Sequence, residues 1–428
     1  MKISSTLRQA AICVSLVLAG RIWAQISVPG ENAQLQQFAA AYYANKHNVS
    51  LDVALQRLAL QDQAAGIEDV LAAVLGEQYA GIWYDHDDRG RLKIGMTRLA
   101  APLDADVRRV VAGYNLSSLA DLVPVQFSLA ELLALQDAIR TDILDLIRAG
   151  HAQTGYDTKL NRVVVRAIER LPGSEDARIQ RWSTLPAVTV LRINLPDLFG
   201  QFDSGNCNVT YCDPPLRGGR EIISNSSICT GAFIARHRVF TDVLLMLTAG
   251  HCVFDAPGSS WSARDEAGIV STFGPNYGYY FPGRDAGAIE ILPLRGSLPP
   301  LPSVVVKGSA NTTYDPNYQI RFTSLSNMGQ LLCQTGRTTG TLCAEVSGLG
   351  TDHVGIDAFG GIYPVHQMGE LDQCLTTNGD SGAPVYKKGR AYGIVSGSSN
   401  HPPIHCNTFY QGIRGAQDLL DVDILLAQ

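Results

Sequence analysis

The cysteines of this 428-residue chain are confined almost entirely to its second half. Cys13 lies near the N-terminus, and residues 26–200 contain no cysteine. In an oxidising compartment the other eight would form up to four disulfides, for which chain order alone allows 105 connectivities. They form no CxxC motif, and their spacing matches no zinc site. The second half is therefore predicted to be a separate, cross-linked unit. Its cysteines are Cys207, Cys212, Cys229, Cys252, Cys333, Cys343, Cys374 and Cys406.

The first 24 residues have the features of a secretory signal peptide. Lys2 and Arg8 precede a short apolar run, "AAICVSLVLAG". Ala24 then provides a small residue before the polar Gln25, as at a signal-peptide cleavage site. The run is shorter than the ~20 residues that a bilayer-spanning helix needs. An N-terminal core helix is the alternative interpretation. We expect residues 1–24 to be removed on export, and the protein to be secreted to the extracellular space without a membrane attachment.

Composition and charge exclude one class of partner. Hydrophobic residues make up 46% of the chain, which is enough for sizeable cores, and the length suggests two or three units. The net charge is -6 at pH 7, and no Lys/Arg-rich run occurs. Because nucleic-acid-binding proteins carry clustered basic residues, no nucleic-acid partner is expected.

Residues 25–200 are predicted to form an α+β unit. Apolar residues recur at helical intervals in "VSLDVALQRLALQDQAAGIEDVLAAVLG", where Ser50 can cap the helix start, and in "SLAELLALQDAIRTDILDLIRAG". The segment "YAGIWYDHDDRGRLKIGMT" alternates around a polar turn, which indicates a β-hairpin, and "TGYDTKLNRVVVRAIERL" is a polar turn that enters a strand. No group of residues in this region suits catalysis.

Residues 201–428 have a different pattern. Short apolar runs such as "GAFIA", "GAIEIL", "SVVVKG", "APVYKKG" and "AYGIVSG" alternate with Gly, Pro, Asn and Ser. Many short strands separated by turns predict an all-β barrel or sandwich. The final segment "GAQDLLDVDILLAQ" is predicted to be helical.

Two short motifs in the second half carry residues suited to catalysis. In "LTAGHCV", His251 follows an apolar run, and it can be a buried core histidine, a metal ligand or a catalytic base. In "NGDSGAPVY", Ser381 lies among glycines, which permit the tight turn that exposes a serine hydroxyl. The backbone N–H groups of Gly379 and Ser381 would form an oxyanion hole there. A serine in an ordinary turn is the alternative for this motif alone.

The two motifs together predict nucleophilic catalysis. Serine is a poor nucleophile at neutral pH and needs a base such as imidazole, which in turn needs a carboxylate to hold its tautomer. Asp285 in "GRDAGAIEIL", at the start of an apolar strand, suits that role. The order His251, Asp285, Ser381 is that of the chymotrypsin class and differs from that of subtilisins and α/β-hydrolases.

The motifs "LTAGHC", "RDAGAI" and "NGDSGAPVY" resemble those of the chymotrypsin-fold serine proteases. The hairpin "CQTGRTTGTLC" is similar to one in the streptogrisin and α-lytic protease branch, and "YAGIWYDHDDRGRLKIGMT" and "GYDTKLNRVVV" resemble segments of the propeptides of that branch. The resemblance implies a protease domain of two six-stranded antiparallel β-barrels over residues 201–428. It also implies an α+β propeptide over residues 25–200, which assists folding and blocks the cleft until it is cleaved.

The resemblance also implies the role of each site residue. His251 would be the general base, Asp285 its orienting carboxylate and Ser381 the nucleophile, with Gly379 and Ser381 as oxyanion donors. Asp357 in "GIDAFGG" is the alternative carboxylate, but it follows the cysteine hairpin, whereas this fold takes both His and Asp from the first barrel. The implied substrate-binding residues are Ser396, Gly397 and Ser398. The implied disulfides are Cys229–Cys252, Cys333–Cys343 and Cys374–Cys406, which leaves Cys207–Cys212 as the fourth.

The sequence departs from the family pattern at several positions. Ser398 stands where a glycine usually lines the cleft, so a small or medium apolar residue is favoured N-terminal to the cleaved bond (the P1 residue). Gln334 stands where the branch often has an arginine that pairs with the aspartate before the nucleophile; Arg337 lies three residues on, and the partner of Asp380 is left open. His401 and His405 suggest metal binding, but they lie in a Pro-rich loop and are interpreted as solvated.

We therefore expect a secreted serine endopeptidase, made as a preproenzyme, that acts as a monomer on protein or peptide substrates. It would bind its own propeptide and need no metal or cofactor. The alternative is a catalytically silent homologue that binds protein ligands. A processing enzyme with one protein target and an esterase are further alternatives.

Overall fold

The computed structural model describes residues 33–98, 101–148, 151–169, 171–193, 199–201, 216–264, 270–292, 300–307, 313–356, 362–398 and 406–427. The predicted signal peptide, Cys207, Cys212, Asp357, His401 and His405 lie outside them. Residues 31–428 form one compact unit. Among the described residues, no helix is both long enough and apolar enough to cross a membrane.

The first part of the chain, up to residue 124, packs helices against a three-stranded sheet. The predicted hairpin is confirmed, since β1 pairs antiparallel with β2, and β3 joins β2 in parallel. The core includes Leu71, Ile82 and Ile94. The elements are α1 (Ala33–His47), α2 (Leu51–Ala64), α3 (Ile67–Leu75), a 3₁₀ turn (Gly76–Gln78), β1 (Tyr79–Asp85), β2 (Arg91–Met96), α4 (Ala101–Gly113) and β3 (Ala120–Pro124).

Local signals in the sequence account for the helix ends. Ser50 Oγ accepts a hydrogen bond from Val53 N (3.3 Å), so the predicted cap of α2 is confirmed. The periodic segment that follows is divided into α2 and α3, because Gly66 adopts φ +84, a left-handed conformation that glycine takes without steric cost. Ser128 and Glu131 form a reciprocal capping box at the start of the next helix.

A second three-stranded sheet follows. In it β4 and β5 form an antiparallel hairpin, and β6 pairs in parallel with β5. Its core includes Leu132, Ile139 and Val165. The elements are α5 (Leu129–Asp142), α6 (Leu144–Arg148), β4 (Ala152–Asp157), β5 (Arg162–Ile168), α7 (Gly173–Ser183), β6 (Val188–Ile193) and β7 (Phe199–Gln201).

The first barrel is built on an eight-stranded sheet in the order β10-β9-β13-β14-β15-β12-β11-β25. Trp261, Phe273 and Met246 lie in its core. A smaller sheet joins β17, β16 and β8. The elements are β8 (Leu216–Gly218), β9 (Glu221–Ile223), β10 (Ile228–Thr230), β11 (Ile234–His237), β12 (Leu244–Thr248), α8 (Gly250–Phe254), β13 (Ser260–Arg264), β14 (Val270–Tyr280), β15 (Ala286–Ile291), β16 (Pro300–Lys307) and β17 (Thr313–Gln319).

The second barrel is a six-stranded sheet in the order β19-β22-β23-β24-β21-β20, which closes because β19 also pairs with β20. The predicted fold class, β-barrels preceded by an α+β region, is confirmed. The elements are β18 (Phe322–Thr323), β19 (Leu331–Gly336), β20 (Gly340–Ile356), β21 (Ile362–Leu371), β22 (Pro384–Lys387), β23 (Arg390–Ser398), β24 (Thr408–Gly412), α9 (Ile413–Leu420) and β25 (Val422–Ile424).

The C-terminal segment differs in part from the prediction of a helix. Helix α9 ends at Leu420, and Asp421 adopts φ 54. The chain then forms β25, which pairs with β11 and buries Val422 and Ile424. Val422 and Ile424 alternate along the strand, so both can be buried at the edge of the first barrel. The free energy gained by this burial outweighs the helical preference that the sequence periodicity indicates.

The sheet of the second barrel continues into the first half of the chain. Strand β20 pairs antiparallel with β4, so that Leu349 lies opposite Tyr156 and Asp352 lies opposite Thr154. Thr154 Oγ1 also donates to Asp352 Oδ2 (2.6 Å), and Arg166 of β5 lies 2.9 Å from Glu370 of β21. The composition boundary near residue 200 is therefore bridged by a continuous sheet.

Candidate active site

His251 is held at a junction between a strand and a short helix. It is the second residue of α8, which begins just after β12, and its side chain is buried. A Cβ at the preceding Gly250 would lie 2.7 Å from Tyr280 O, so only glycine permits this close approach. Cys252 is bonded to Cys229 of β10. The disulfide and the tight backbone together anchor the turn that carries the imidazole.

Asp285 immediately precedes β15, and its carboxylate contacts the His251 imidazole. Its Oδ2 is 2.9 Å from His251 Nδ1, and its Oδ1 accepts a bond from His251 N (2.9 Å). Ser396 Oγ also donates to Oδ2 (2.5 Å). Burial disfavours the charged carboxylate, but the contacts with His251 and Ser396 outweigh it and hold the pKa of Asp285 below its ordinary value.

Ser381 comes from the second barrel and lies beside the same group. Its Oγ donates to Ser396 O (3.3 Å), and its carbonyl accepts from Thr230 N (2.8 Å). The Cys252 sulfur lies 3.9 Å both from His251 Nε2 and from Ser381 O. Asp285 thus contacts His251 directly, and Ser381 is linked to Asp285 through Ser396.

The turn around Ser381 depends on glycine. Gly382 adopts φ +85, and a Cβ there would lie 2.1 Å from Thr248 Oγ1 and 2.2 Å from Thr230 O. Gly379 adopts φ +88, and its carbonyl accepts a bond from Thr230 Oγ1 (2.8 Å). Among the described residues, neither the Gly379 nor the Ser381 amide donates to a backbone acceptor.

Backbone amides bind Asp380, whose partner the sequence left open. Its Oδ1 accepts from Thr338 N (2.7 Å) and Thr339 N (3.3 Å), and its Oδ2 accepts from Thr377 N (3.0 Å). Burial raises the pKa of Asp380, and these bonds oppose the rise. Three turn amides therefore stabilise the carboxylate.

Arg337 forms a buried ion pair that the sequence did not predict. Its Nη1 lies 2.7 Å from Glu221 Oε2, and both side chains are buried. Burial lowers the pKa of Arg337, while the nearby Asp380 carboxylate raises it. The two partners are 116 residues apart, so no local signal in the sequence could have identified the pair.

The predicted substrate-binding residues lie on β23. Ser396 O accepts from the Ser381 hydroxyl, and Ser398 Oγ donates to Thr376 O (3.3 Å). The short strand β7 pairs with this edge, because Gln201 lies antiparallel to Ser398. A segment of the chain's own backbone therefore lies at the strand edge where the sequence predicts substrate binding.

Aromatic rings form one wall beside the histidine, and the sequence analysis did not identify them. The ring centroids of Phe281 and His251 are 5.9 Å apart, and Tyr363 of the second barrel lies 5.1 Å from Phe281. Phe254 contacts both Phe281 and Tyr363. These rings join the two barrels on the side of the imidazole.

The remaining cysteine pairs of the described region are Cys333–Cys343 and Cys374–Cys406. They are the pairs that the family resemblance implies. The first joins β19 to β20 directly across the hairpin, where the two residues lie opposite each other in register. The second joins Cys374, which precedes the Ser381 turn, to Cys406, which follows β23.

Comparisons with known proteins agree with the resemblance seen in the motifs. Residues 52–109 match the family model "Alpha-lytic protease pro N-terminal". Streptogrisin-A of Streptomyces griseus is 28% identical over 214 residues, which cover 50% of this chain and 62% of that protein. The resemblance to the streptogrisin and α-lytic protease branch, with an N-terminal pro region, is thereby confirmed.

Solved structures of bacterial proteases also align with half of the chain. Thermobifida fusca Protease A is 22% identical and aligns over 50% of this chain and 100% of its own, with a TM-score of 0.40. Nocardiopsis Protease is 22% identical and aligns over 49% of this chain and 98% of its own, with a TM-score of 0.39. A glutamic acid specific serine protease is 26% identical over 49% of this chain and 100% of its own, with a TM-score of 0.39.

Proposed function

We propose that the protein is a serine endopeptidase in which Ser381 is the nucleophile, His251 the general base and Asp285 the orienting carboxylate. The observation that carries the proposal is the connected group at the junction of the two barrels. Asp285 contacts the imidazole at Nδ1 and the backbone N–H of the same residue, and Ser396 joins Asp285 to the Ser381 hydroxyl.

The double contact of Asp285 fixes the imidazole for base catalysis. An ionised carboxylate at Nδ1 keeps the proton on that nitrogen. The lone pair that accepts the serine proton is therefore on Nε2. The lowered pKa of Asp285 keeps it ionised, and its charge would stabilise the imidazolium that forms. The Ser381 hydroxyl turns from Ser396 O toward Nε2 when it loses its proton.

The reaction would then follow the acyl-enzyme route. Ser381 Oγ attacks the carbonyl carbon while its proton passes to His251 Nε2, and the carbonyl oxygen takes the negative charge beside the amides of Gly379 and Ser381. The imidazolium protonates the leaving amine as the peptide C–N bond breaks. Water, deprotonated by the same imidazole, then hydrolyses the acyl-enzyme and regenerates the Ser381 hydroxyl.

Residues 25–200 would be a propeptide and residues 1–24 a signal peptide, so that the chain is made as a preproenzyme. Three observations support this: the match to a pro-region family, the sheet shared through β4 and β20, and the pairing of Gln201 with Ser398. We place the processing site between about residues 185 and 216, before β8 of the protease region begins at Leu216. The disulfides favour an oxidising, extracellular location.

The substrates would be proteins or peptides, with a small or medium apolar residue at P1. The hydrogen bond from the Ser398 hydroxyl to the Thr376 carbonyl supports a substrate pocket that is narrower or more polar than one lined by glycine. Peptide-library profiling of the processed enzyme tests this preference. Equal cleavage after large aromatic or charged residues would contradict it.

Labelling with a fluorophosphonate probe tests the proposed function itself. The processed protein should react with the probe and Ser381→Ala should not, while Ser347→Ala, whose hydroxyl donates to Glu370 O in the same barrel, should react like the unmodified protein. A protein that folds but does not react would favour the catalytically silent homologue. Label retained in Ser381→Ala would place the nucleophile elsewhere.

A further inference from the structure

Three titratable side chains meet where the first half of the chain contacts the second barrel. His47 ends α1, His86 follows β1, and Glu345 is a buried residue of β20. The two imidazoles are stacked with ring centroids 4.3 Å apart. His47 Nε2 lies 2.6 Å from Glu345 Oε1, and His86 Nε2 lies 3.5 Å from Oε2. One barrel carboxylate therefore faces two imidazoles of the pro region.

The geometry is that of a hydrogen-bonded cluster. One ligand atom from each of the three residues lies within 4.8 Å of the others, a spacing that a metal ion can bridge. However, His47 Nε2 contacts the carboxylate directly, and His86 Nε2 lies 3.0 Å from Gly329 O. Lys46 Nζ also lies 2.7 Å from Glu345 Oε2. A metal ion would have to displace these contacts and approach an ammonium group.

The charged side chains that contact the cluster carry no net charge while the His86 imidazole is neutral. Lys46 and Arg57 contribute two positive charges, and Glu345 and Asp372 contribute two negative ones. Lys46 contacts both carboxylates, and Arg57 Nη1 donates to the carbonyl of His86 (3.4 Å). Lys159 is paired both with Asp85 and with exposed Asp87. The titratable and charged groups around the histidines are Tyr42, Tyr43, Lys46, Arg57, Asp87 and Asp372.

We propose that this cluster is a pH-sensitive contact, through which acidification loosens the hold of the pro region on the second barrel. A protonated His86 ring, stacked 4.3 Å from the His47 ring and next to Lys46 and Arg57, would place three positive charges against two carboxylates. The excess positive charge would weaken the contact made by α1 and the β1–β2 turn. The proposal rests on the assignment of residues 25–200 as a propeptide, and it concerns how that propeptide is released.

The direction of the pH effect follows from His86. Burial lowers the pKa of His86 and the nearby Glu345 raises it, with burial the larger effect. An imidazole exposed by release therefore binds a proton more readily than one in the contact. The contact is fully stable above the ordinary imidazole pKa of about 6.5 and weakens as the pH falls below it. For one imidazole, the weakening between pH 7.5 and pH 5.5 amounts to at most about tenfold.

Hydrogen–deuterium exchange on the full Ser381→Ala chain tests the proposal. After correction for intrinsic exchange, protection of α1 and of the Tyr84 amide, which donates to Met328 O (3.1 Å), should fall up to about tenfold from pH 7.5 to pH 5.5. Protection of β11 and β12 should not change. His86→Gln, which can still donate to Gly329 O but does not ionise, should remove most of the pH effect.

The matched control is His151→Gln. His151 contacts Glu175, Leu146 and Ile168 within the pro region, and this variant should keep the full pH effect. An unchanged protection at pH 5.5, or an equal fall in His86→Gln, would overturn the proposal. Protection that rises with added Zn²⁺ and depends on His47 would replace it with a metal site. Because the readout needs no activity, failure of fluorophosphonate labelling would remove the proposed function without changing this result.

Discussion

The two halves of the chain stabilise their charged residues in different ways. Among the described residues, the ion pairs within the pro region join residues at most 74 positions apart, and some are local and exposed, as between Asp104 and Arg108 within one turn of α4. In the protease region a buried pair joins Glu221 to Arg337, 116 residues away, and an exposed pair joins Arg238 to Asp423, 185 residues away. Disulfides occur only in the second half of the described chain.

This difference indicates how each half reaches its fold. The pro region is specified largely by helix caps, short hairpins and apolar cores, which form from residues close in sequence. The barrels depend on contacts such as Thr230 Oγ1 with Gly379 O, which join residues 149 positions apart. Non-local pairing makes folding slow, because the loop-closure entropy is lost before the contacts form. The pairing of β4 with β20 places a strand of the pro region along the edge of the second barrel's sheet.

The largest expected effect comes from separating the halves. Residues 201–428 expressed alone should give little or no active enzyme, because the barrels would lack the β4 edge, and residues 25–200 supplied in trans should restore activity. A pro region with Arg166→Ala, which loses the ion pair to Glu370, should restore less. Activity is measured as peptidase turnover per mole of refolded protein. Full activity without the pro region would show that it has no role in folding.

Replacing the buried carboxylate at the site should have the next largest effect. Asp285→Asn should lower kcat by about 10⁴-fold, since an amide at this position no longer holds the productive imidazole tautomer. Asp423→Asn in the same barrel, which removes an exposed partner of Arg238, should leave kcat unchanged. Steady-state kinetics of the processed enzymes compares them. A loss below tenfold in Asp285→Asn would point to another orienting group.

The buried ion pair should contribute more to stability than the exposed one. Glu221→Gln should lower the free energy of unfolding by about 3–5 kcal/mol, because it removes the ion-pair partner that contacts the buried Arg337 guanidinium. Asp104→Asn should change it by less than about 0.5 kcal/mol. Denaturant unfolding of the Ser381→Ala chain measures both variants. Similar values for the two would remove the contrast between the halves.

A smaller and pH-dependent effect is expected from His353. This fully buried ring stacks on Phe409 with centroids 4.0 Å apart, and among the described residues neither ring nitrogen has a hydrogen-bond partner. Burial lowers the pKa of His353 to about 3. The unfolded chain binds the proton first, so stability is complete above about pH 6.5 and falls toward pH 3, by at most about 1.4 kcal/mol per unit.

His353→Phe should flatten this part of the stability profile, since phenylalanine keeps the stacking and cannot ionise. The melting temperature of the Ser381→Ala chain between pH 7 and pH 4 is the measurement. His151→Gln, in the pro region, should leave the slope unchanged. An unaltered slope in His353→Phe would show that other groups determine the acid sensitivity.

Local sequence patterns were sufficient for several parts of the structure. The Ser50 cap and the first hairpin are set by residues that are neighbours along the chain, and both were predicted correctly. The C-terminal segment was predicted in part wrongly, because β25 forms only where β11 offers an edge. The Asp380 contacts, the Glu221–Arg337 pair and the aromatic wall at Phe281 were not predicted, since each depends on segments that only folding brings together.

The sequence by itself determined the change of architecture near residue 200 and the identity of His251, Asp285 and Ser381 as candidates, because short motifs with restrictive backbone requirements carry that information. Only the tertiary structure decided that Ser396 joins Asp285 to Ser381, that turn amides bind Asp380, and that His47 and His86 share Glu345. The physical reason is that hydrogen bonds and ion pairs act over a few ångströms, whereas these partners lie as many as 298 residues apart.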